Sequence, residues 1–310
     1  MMLLLPIKTS YDLTHLYQQN VDNTESYAQM MNAKAYAEMS VATVLYGLTF
    51  PLTMMALRAM GPLYLSLIRS LWSFIFFIIY FLIRGYPRDP DYALLFGISV
   101  FGLVLSIIFQ NVGMLHTTAS MASIIQSTAP IFVVFLAFFL IREKLTFSKM
   151  LGALIGIIGT IIVMSNGADG GNSTMFGNIM MLCSAASLAL LAILEKLALS
   201  KHSPTDIIGI TSILGFPMLL LIALPLEPPP AFTPSSVILT IVISIGCTVL
   251  PYFLWLEGLR ELEVSRAIVF SYGITAFGII FSVLLLNEAV SLSMITGMAV
   301  IFFSIWIAQR

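Results

Sequence analysis

Ten apolar runs, each of roughly twenty residues, leave a chain like this few ways to fold. They lie at about 38–58, 62–83, 92–115, 118–141, 147–165, 175–198, 205–226, 235–258, 265–286 and 291–308. About twenty helical residues span a hydrocarbon layer of about 30 Å, and in lipid the backbone must find its hydrogen-bond partners within its own segment. A membrane barrel would show short alternating segments instead. With 59% hydrophobic and 9% charged residues, no soluble core could enclose this much apolar surface. The expected fold is therefore all-α and integral to a membrane, with the lipid bilayer as its first partner. The connections at 61–62, 86–90, 166–172 and 227–230 are rich in Gly, Pro and Asn, and none is long enough to hold a domain. Thr146 and Ser291 stand where side chains would cap the fifth and tenth helices. Cys183 and Cys247 sit inside apolar runs and read as small packing residues. A net charge of -1 and the lack of any basic run argue against a nucleic-acid partner.

The second half of the chain repeats the first. A shift of 145 positions lays Glu143, Leu145, Thr146, Ser148 and Gly152 on Glu288, Val290, Ser291, Ser293 and Gly297. In the same register Gly113, Ser120, Ala122 and Phe132 meet Gly258, Ser265, Ala267 and Phe277. Residues 38–165 and 175–309 thus read as one five-helix unit written twice. Residues 1–37, mixed in composition, read as a weakly structured cytoplasmic tail in which Met30 or Met31 offers an alternative start. With the amino terminus inside, twelve of the fourteen Lys and Arg fall at the cytoplasmic face, among them Arg84, Arg88, Lys149, Lys201 and Arg266. Arg58 alone falls outside, and Arg69 lies within the second helix. Such a bias places both termini in the cytoplasm. Five helices per unit is an odd number, so the second unit enters the membrane upside down. The sequence therefore predicts ten transmembrane helices as two inverted five-helix repeats, with a substrate site between the halves.

Ten helices in two sets of five, Arg69 early in helix 2, and Glu-x-[Leu/Val]-[Thr/Ser] followed by glycine at both Glu143 and Glu288 resemble the drug/metabolite transporter superfamily, EamA-like branch. The resemblance covers residues 38–309. It implies a multi-pass permease of the cytoplasmic membrane that exports amino acids or other small metabolites. Helices 1–4 and 6–9 would line the path, with helices 5 and 10 outside it.

Several polar residues in the apolar runs could meet a substrate. Arg69, about 10 Å into helix 2, could hold a carboxylate or phosphate, or could be satisfied by Gln110 or Asn111. Ser120, Ser123 and Ser127 form one stripe of helix 4 beside Gln126; such a stripe lines a wet cavity or glues helices together. Tyr46, Thr49 and Thr53 share a face around Pro51, which can hinge helix 1. Thr248, Tyr252 and Trp255 form a stripe of helix 8, although Trp255 alone reads as an interfacial aromatic. Helix 9 offers Ser271, Tyr272 and Thr275. The repeat register sets Ser127 opposite Tyr272 and Gln126 opposite Ser271. The expected site is thus Thr49, Arg69, Gln126, Ser127, Tyr252, Ser271 and Tyr272. Glu143 and Glu288 read as carboxylates set against helix-end amides. Glu195, beside Lys196, reads as a paired or snorkelling carboxylate rather than a proton carrier. Gly152, Gly156 and Gly159 offer a close-packing face, either to another helix of the chain or to a second copy in a homodimer.

These residues weigh against other classes of protein. The three histidines, His15, His116 and His202, form no His-Glu-x-x-His motif, and Gly-x-Ser-x-Gly is absent, so an intramembrane enzyme lacks its groups. No cofactor or metal is expected. A channel has no positive signature. Nucleotide-sugar or organic-phosphate exchange, the alternative carrier reading, would want more cations than Arg69. Cationic cargo would want a buried carboxylate, and Glu38 lies only at the start of helix 1. Neutral, zwitterionic or mildly anionic metabolites remain, amino acids first.

Overall fold

The computed structural model describes the backbone of residues 10–140, 146–166, 173–261 and 264–308. Side chains at 10–32, 137, 149, 165, 166, 264–269, 271, 272, 305 and 308 lie outside the described residues. Ten helical elements and no strand occur among the described residues. The first half holds α1 (Ser10–Leu57), α2 (Pro62–Arg84), α3 (Tyr92–Leu115), α4 (Ala119–Leu140) and α5 (Phe147–Asn166). The second holds α6 (Met175–Ala198), α7 (Pro204–Leu226), α8 (Pro234–Glu261), α9 (Val264–Leu286) and α10 (Leu292–Ala308). Seven described stretches are long and apolar enough to cross a membrane; α5, α9 and α10 contribute shorter apolar stretches. The exterior is apolar, with Leu82, Phe147, Leu221 and Leu284 among its exposed side chains, while Ser66, Arg69, Asn111, Glu195 and Ser244 are buried. That distribution suits a bilayer and would be unworkable in water.

Helix ends follow local chemistry. Pro62 and Pro204 open α2 and α7 at a position where a missing N–H costs nothing. Thr118, Thr174 and Ser203 accept from backbone amides of the first turns of α4, α6 and α7. Thr233 and Ser236 form a capping box on α8, and Ser291 caps α10 as the sequence predicts. Gly85 ends α2 at φ 89°, which a side chain would resist. Within α4, regular helix stops at Gln126 and resumes at Ala129, because Pro130 has no N–H for the carbonyl of Gln126. The weakly structured tail expected before residue 38 is corrected: α1 is continuous from Ser10. No Gly or Pro occurs between Pro6 and Gly47, so nothing local stops the helix of the apolar run from extending toward the amino terminus.

Both halves pack by the same rules. α5 lies on α10, α2 on α7 and α4 on α9, each helix meeting its own counterpart. α1 packs on α9 and α8, while α6, the counterpart of α1, packs on α4 and α3. Exchanging the halves maps these pairings onto one another. The backbone repeats too: α3 is π-helical over Ser99–Leu105 and α8 over Val242–Val249, within two residues of the 145-residue register. Ser99 Oγ donates to the carbonyl of Thr211 at 2.9 Å, and Ser244 Oγ donates to that of Arg69 at 2.6 Å. Thr211 and Arg69 each lie seven residues after the proline that opens their helix. Arg69 therefore has Thr211 as its counterpart, and the duplicated frame carries the guanidinium on one side only.

Glycines allow the closest approaches. A Cβ at Gly47 would lie 2.6 Å from Phe277 Cβ, and one at Gly278 would lie 2.8 Å from Ser123 Cβ, which fixes α9 against α1 and α4. Gly156 and Gly159 face Ile131, Ser304 and Ile301, so this part of the α5 glycine face is occupied within the chain.

Candidate functional site

Arg69 is 4% exposed on α2. Its Nη2 donates to Thr248 Oγ1 of α8 at 2.9 Å, and its Nη1 reaches Asn111 Oδ1 of α3 at 3.5 Å, the outer limit of a hydrogen bond. Asn111 Nδ2 in turn donates to Ser66 Oγ at 2.8 Å. Of the two supports the sequence offers, the geometry uses Asn111; Thr248 is the stronger partner, and it comes from the other half. Its placement depends on the π-helical turn, where Thr248 Oγ1 donates to the carbonyl of Ile243, five residues back. Arg69 Nε has no protein acceptor. The guanidinium is thus fixed at one edge and free at another, which suits an anion better than a fully satisfied structural arginine would.

Tyr252 lies one turn beyond Thr248 on α8, roughly 6 Å along the axis. Its hydroxyl faces the carboxyl of Glu195, from α6. Neither Tyr252 Oη nor Glu195 Oε1 completes a hydrogen bond of good geometry. Here the sequence reading needs correction. Glu195 does not pair with Lys196 or snorkel: it is 4% exposed and turned inward, while Lys196 is exposed. Residues adjacent in sequence point about 100° apart on a helix, so neighbours do not face each other. Trp255, read from sequence as an interfacial aromatic, has packing partners within the bundle. Trp255 is half-buried, packs with the layer containing Leu95 and Ile207, and meets Tyr46 edge-on at 6.3 Å between ring centroids.

On α4 the stripe divides. Ser123 and Ser127 donate to carbonyls of their own helix, Ser120 at 2.8 Å and Ile124 at 2.6 Å, and Ser123 packs on Gly278. They act in helix packing. Gln126 behaves otherwise: Nε2 donates to Ser184 Oγ of α6 at 3.3 Å, and its Oε1 is buried without a partner. Thr49 of α1 donates to the carbonyl of Cys247 on α8 at 3.0 Å, joining the halves. The side chains of Ser271 and Tyr272 lie outside the described residues, so their expected meeting with Gln126 and Ser127 is not part of this geometry. Hollows of about 230 Å³ beside Phe81 and Tyr86, and of about 70 Å³ between Glu38 and Glu261, are lined by none of the seven expected residues.

Several of these residues share unmet hydrogen-bonding capacity. Among the described residues, the buried side-chain atoms with no partner are on Thr53, Arg69, Ser120, Gln126, Glu195 and Tyr252. Each such atom costs about 1–3 kcal/mol if left unmet, and native proteins keep few of them. Three belong to residues expected from sequence: Arg69, Gln126 and Tyr252. Glu195 is the functional candidate that sequence reasoning passed over, and its signal was a carboxylate one turn inside the end of an apolar run. Glu288 sits apart: its Oε1 and Oε2 accept from the amides of Ala119 and Ser120, both at 2.8 Å, linking α9 to the start of α4 as expected of a helix-end carboxylate. Glu143, its counterpart in the repeat, lies outside the described residues.

Known proteins resemble this chain in sequence and in fold. A protein of Archaeoglobus fulgidus named an uncharacterized transporter is 24% identical over 89% of this chain and 99% of its own. The uncharacterized transporter YetK of Bacillus subtilis is 25% identical over 72% of this chain and 70% of its own. A solved crystal structure superposes at a TM-score of 0.65 with 18% identity, covering 89% of this chain and 95% of that one, a likeness of fold. The profile of the EamA-like transporter family matches twice, over residues 34–165 and 175–309. A helical membrane chain whose two halves each match that profile belongs to the EamA-like transporter family, within the drug/metabolite transporter superfamily, and is a multi-pass membrane transporter.

Proposed function

We propose that the protein carries a small zwitterionic or neutral organic metabolite, amino acids first, across the cytoplasmic membrane by alternating access, with export as its net direction. All ten helices cross the membrane, both termini are cytoplasmic, and the second five-helix half is inverted relative to the first. Support for the inversion comes from the counterparts α5 and α10, which run antiparallel with Gly156 against Ser304, Gly159 against Ile301 and Val163 against Gly297, while π-helical segments at matching positions of α3 and α8 support the repeat. Irregular helices of this kind are often found at functional sites.

One observation carries the substrate reading: Arg69 and Gln126 of the first half, and Tyr252 and Glu195 of the second, each hold a buried polar atom without a protein partner. Arg69 binds the carboxylate of the cargo. Gln126 and Tyr252 bind its polar groups, with Thr49, Ser271 and Tyr272 completing the site. Arg69 and Glu195 are the buried charges among the described residues, and their α8 contacts, Thr248 and Tyr252, are one turn apart. That spacing suits the two ends of a zwitterion. The free Nε–H of Arg69 also supports a second reading, exchange of organic phosphates or nucleotide sugars.

Counterflow into proteoliposomes decides between them. With labelled amino acids, nucleosides and sugar nucleotides, an amino acid is expected to accumulate against an unlabelled internal pool. Gln126→Leu should raise the half-saturation concentration about tenfold, consistent with one lost buried hydrogen bond. Ser148→Ala on α5 should leave it unchanged. Counterflow of sugar nucleotides alone would favour the second reading, and flux that never saturates would refute a carrier.

A further inference from the structure

Glu195 is the buried acidic side chain among the described residues. It stands three residues before the end of α6, at the end of the bundle that carries Arg84, Lys196, Lys201 and Arg260. Among the described residues, the titratable groups that face its carboxyl are two tyrosine hydroxyls, Tyr252 from α8 and Tyr46 from α1. In the same layer, α3 contributes Leu95 and Ile98, and α7 contributes Ile207 and Ile208, all of them apolar. Among the described residues, the other charges of that end of the bundle are paired elsewhere or exposed. Lys201 Nζ meets Asp91 Oδ2 at 3.0 Å, where Lys201 and the amide of Leu94 hold the Asp91 carboxyl below the usual carboxylate range. Asp206 accepts from Ser203 at 2.7 Å, Arg260 pairs with Glu257 at 3.6 Å, and Lys196 is exposed.

Among the described residues no cation stands beside Glu195, and an ionised carboxylate enclosed by apolar and aromatic groups is then far costlier than the neutral acid. The enclosed conformation therefore calls for a positive charge on Glu195, and a proton is the one that needs no space. We propose that Glu195 is an exchangeable proton site, occupied while the bundle is closed around it and vacated when the ammonium group of a transported metabolite arrives. The inference rests on the carrier reading above for its second partner.

The exchange conserves charge. The O–H bond of the acid breaks, the proton passes to water at the open face, and the carboxylate left behind is balanced by the entering ammonium. Tyr46, Tyr252 and Trp255 supply aromatic faces that stabilise an organic cation in low dielectric. When the cargo leaves on the opposite side, a proton from that side returns to Glu195. Each cycle then moves one proton against one amine-bearing molecule, so a proton gradient drives the metabolite in the opposite direction. Cargo without a cationic group would not displace the proton.

Two measurements test this. Infrared difference spectroscopy on the full chain in lipid vesicles, titrated from about pH 5 to about pH 9, should show a carboxylic-acid band that fades with alkalinity. Glu195→Gln should lack the band, and Tyr252→Phe should shift its frequency. Identical spectra for the wild-type protein and Glu195→Gln would overturn the proposal, whatever the cargo. The second uses proteoliposomes with an entrapped pH-sensitive dye, supplied with each labelled amino acid. Proton movement opposite to the amino acid is expected; Glu195→Gln should reduce it by at least about tenfold, and Glu195→Asp, which keeps the acid, should retain it. Saturable counterflow with no proton movement would overturn the proton site and leave the carrier standing. If no compound shows counterflow, the carrier reading fails, and the infrared result alone decides the proton site.

Discussion

Replacing Glu288 with alanine is expected to cost on the order of 3–6 kcal/mol of stability, because two charge-assisted hydrogen bonds end on that one carboxylate. Its oxygens accept from Ala119 and Ser120, the first amides of α4, each at 2.8 Å. Those N–H groups have no partner within the helix, and they carry the positive end of its dipole. Without Glu288, two donors are stranded at the junction of α4 and α9, which are helices of opposite halves. Glu288→Gln keeps an acceptor oxygen without the charge and should recover part of the loss. Glu257→Ala, which breaks the half-exposed pair with Arg260, should cost less than about 1 kcal/mol. Thermal unfolding of the three variants in one detergent checks the order. Equal stability of Glu288→Ala and Glu257→Ala would show that the α9–α4 link is incidental.

Arg69 is expected to give the largest effect on transport. Arg69→Lys should fold and reach the membrane in normal amounts, because an ammonium can still meet Thr248 across the distance now spanned by Nη2. The half-saturation concentration for the cargo should nonetheless rise by about tenfold to hundredfold, since lysine offers a point charge where the guanidinium offers a fork. Arg69→Ala should abolish saturable flux, and by leaving Thr248 and Asn111 short of a donor it should also lower stability by about 1–3 kcal/mol. A protein that loses abundance with both variants yet transports normally per molecule would make Arg69 purely structural. Unaltered kinetics for Arg69→Ala would exclude it from both roles.

The sequence discloses the helices and conceals how their side chains turn. Apolar runs bounded by Pro62, Pro204 and Ser291 mark helix starts, since the physics of those starts is local. The pairing of α4 with α9, and Glu288 near a helix end, were legible because the repeat at Glu143 and Glu288 marks matching places in two copies of one unit. The π-helical turns of α3 and α8 were not, because they arise from packing of the bundle, and composition does not distinguish them from α-helix. The same turn places Thr248 against Arg69, so the partner of the most conspicuous charge was only half visible. Glu195 was misread because Lys196 beside it suggested a surface pair; a residue's bearing around its helix is set by tertiary contacts. Ser123 and Ser127 show the converse, polar in sequence yet committed to their own backbone.

Alternating access can be measured directly through the sidedness of the central residues. Single cysteines at Thr49, Gln126 and Tyr252, in a background lacking Cys183 and Cys247, can be treated with a membrane-impermeant thiol reagent from either face of oriented vesicles. Saturating one side with a transported amino acid should raise reactivity from one face and lower it from the other, at all three positions. Reactivity that rises or falls together from both faces would contradict the account, because a site open to both sides at once belongs to a channel.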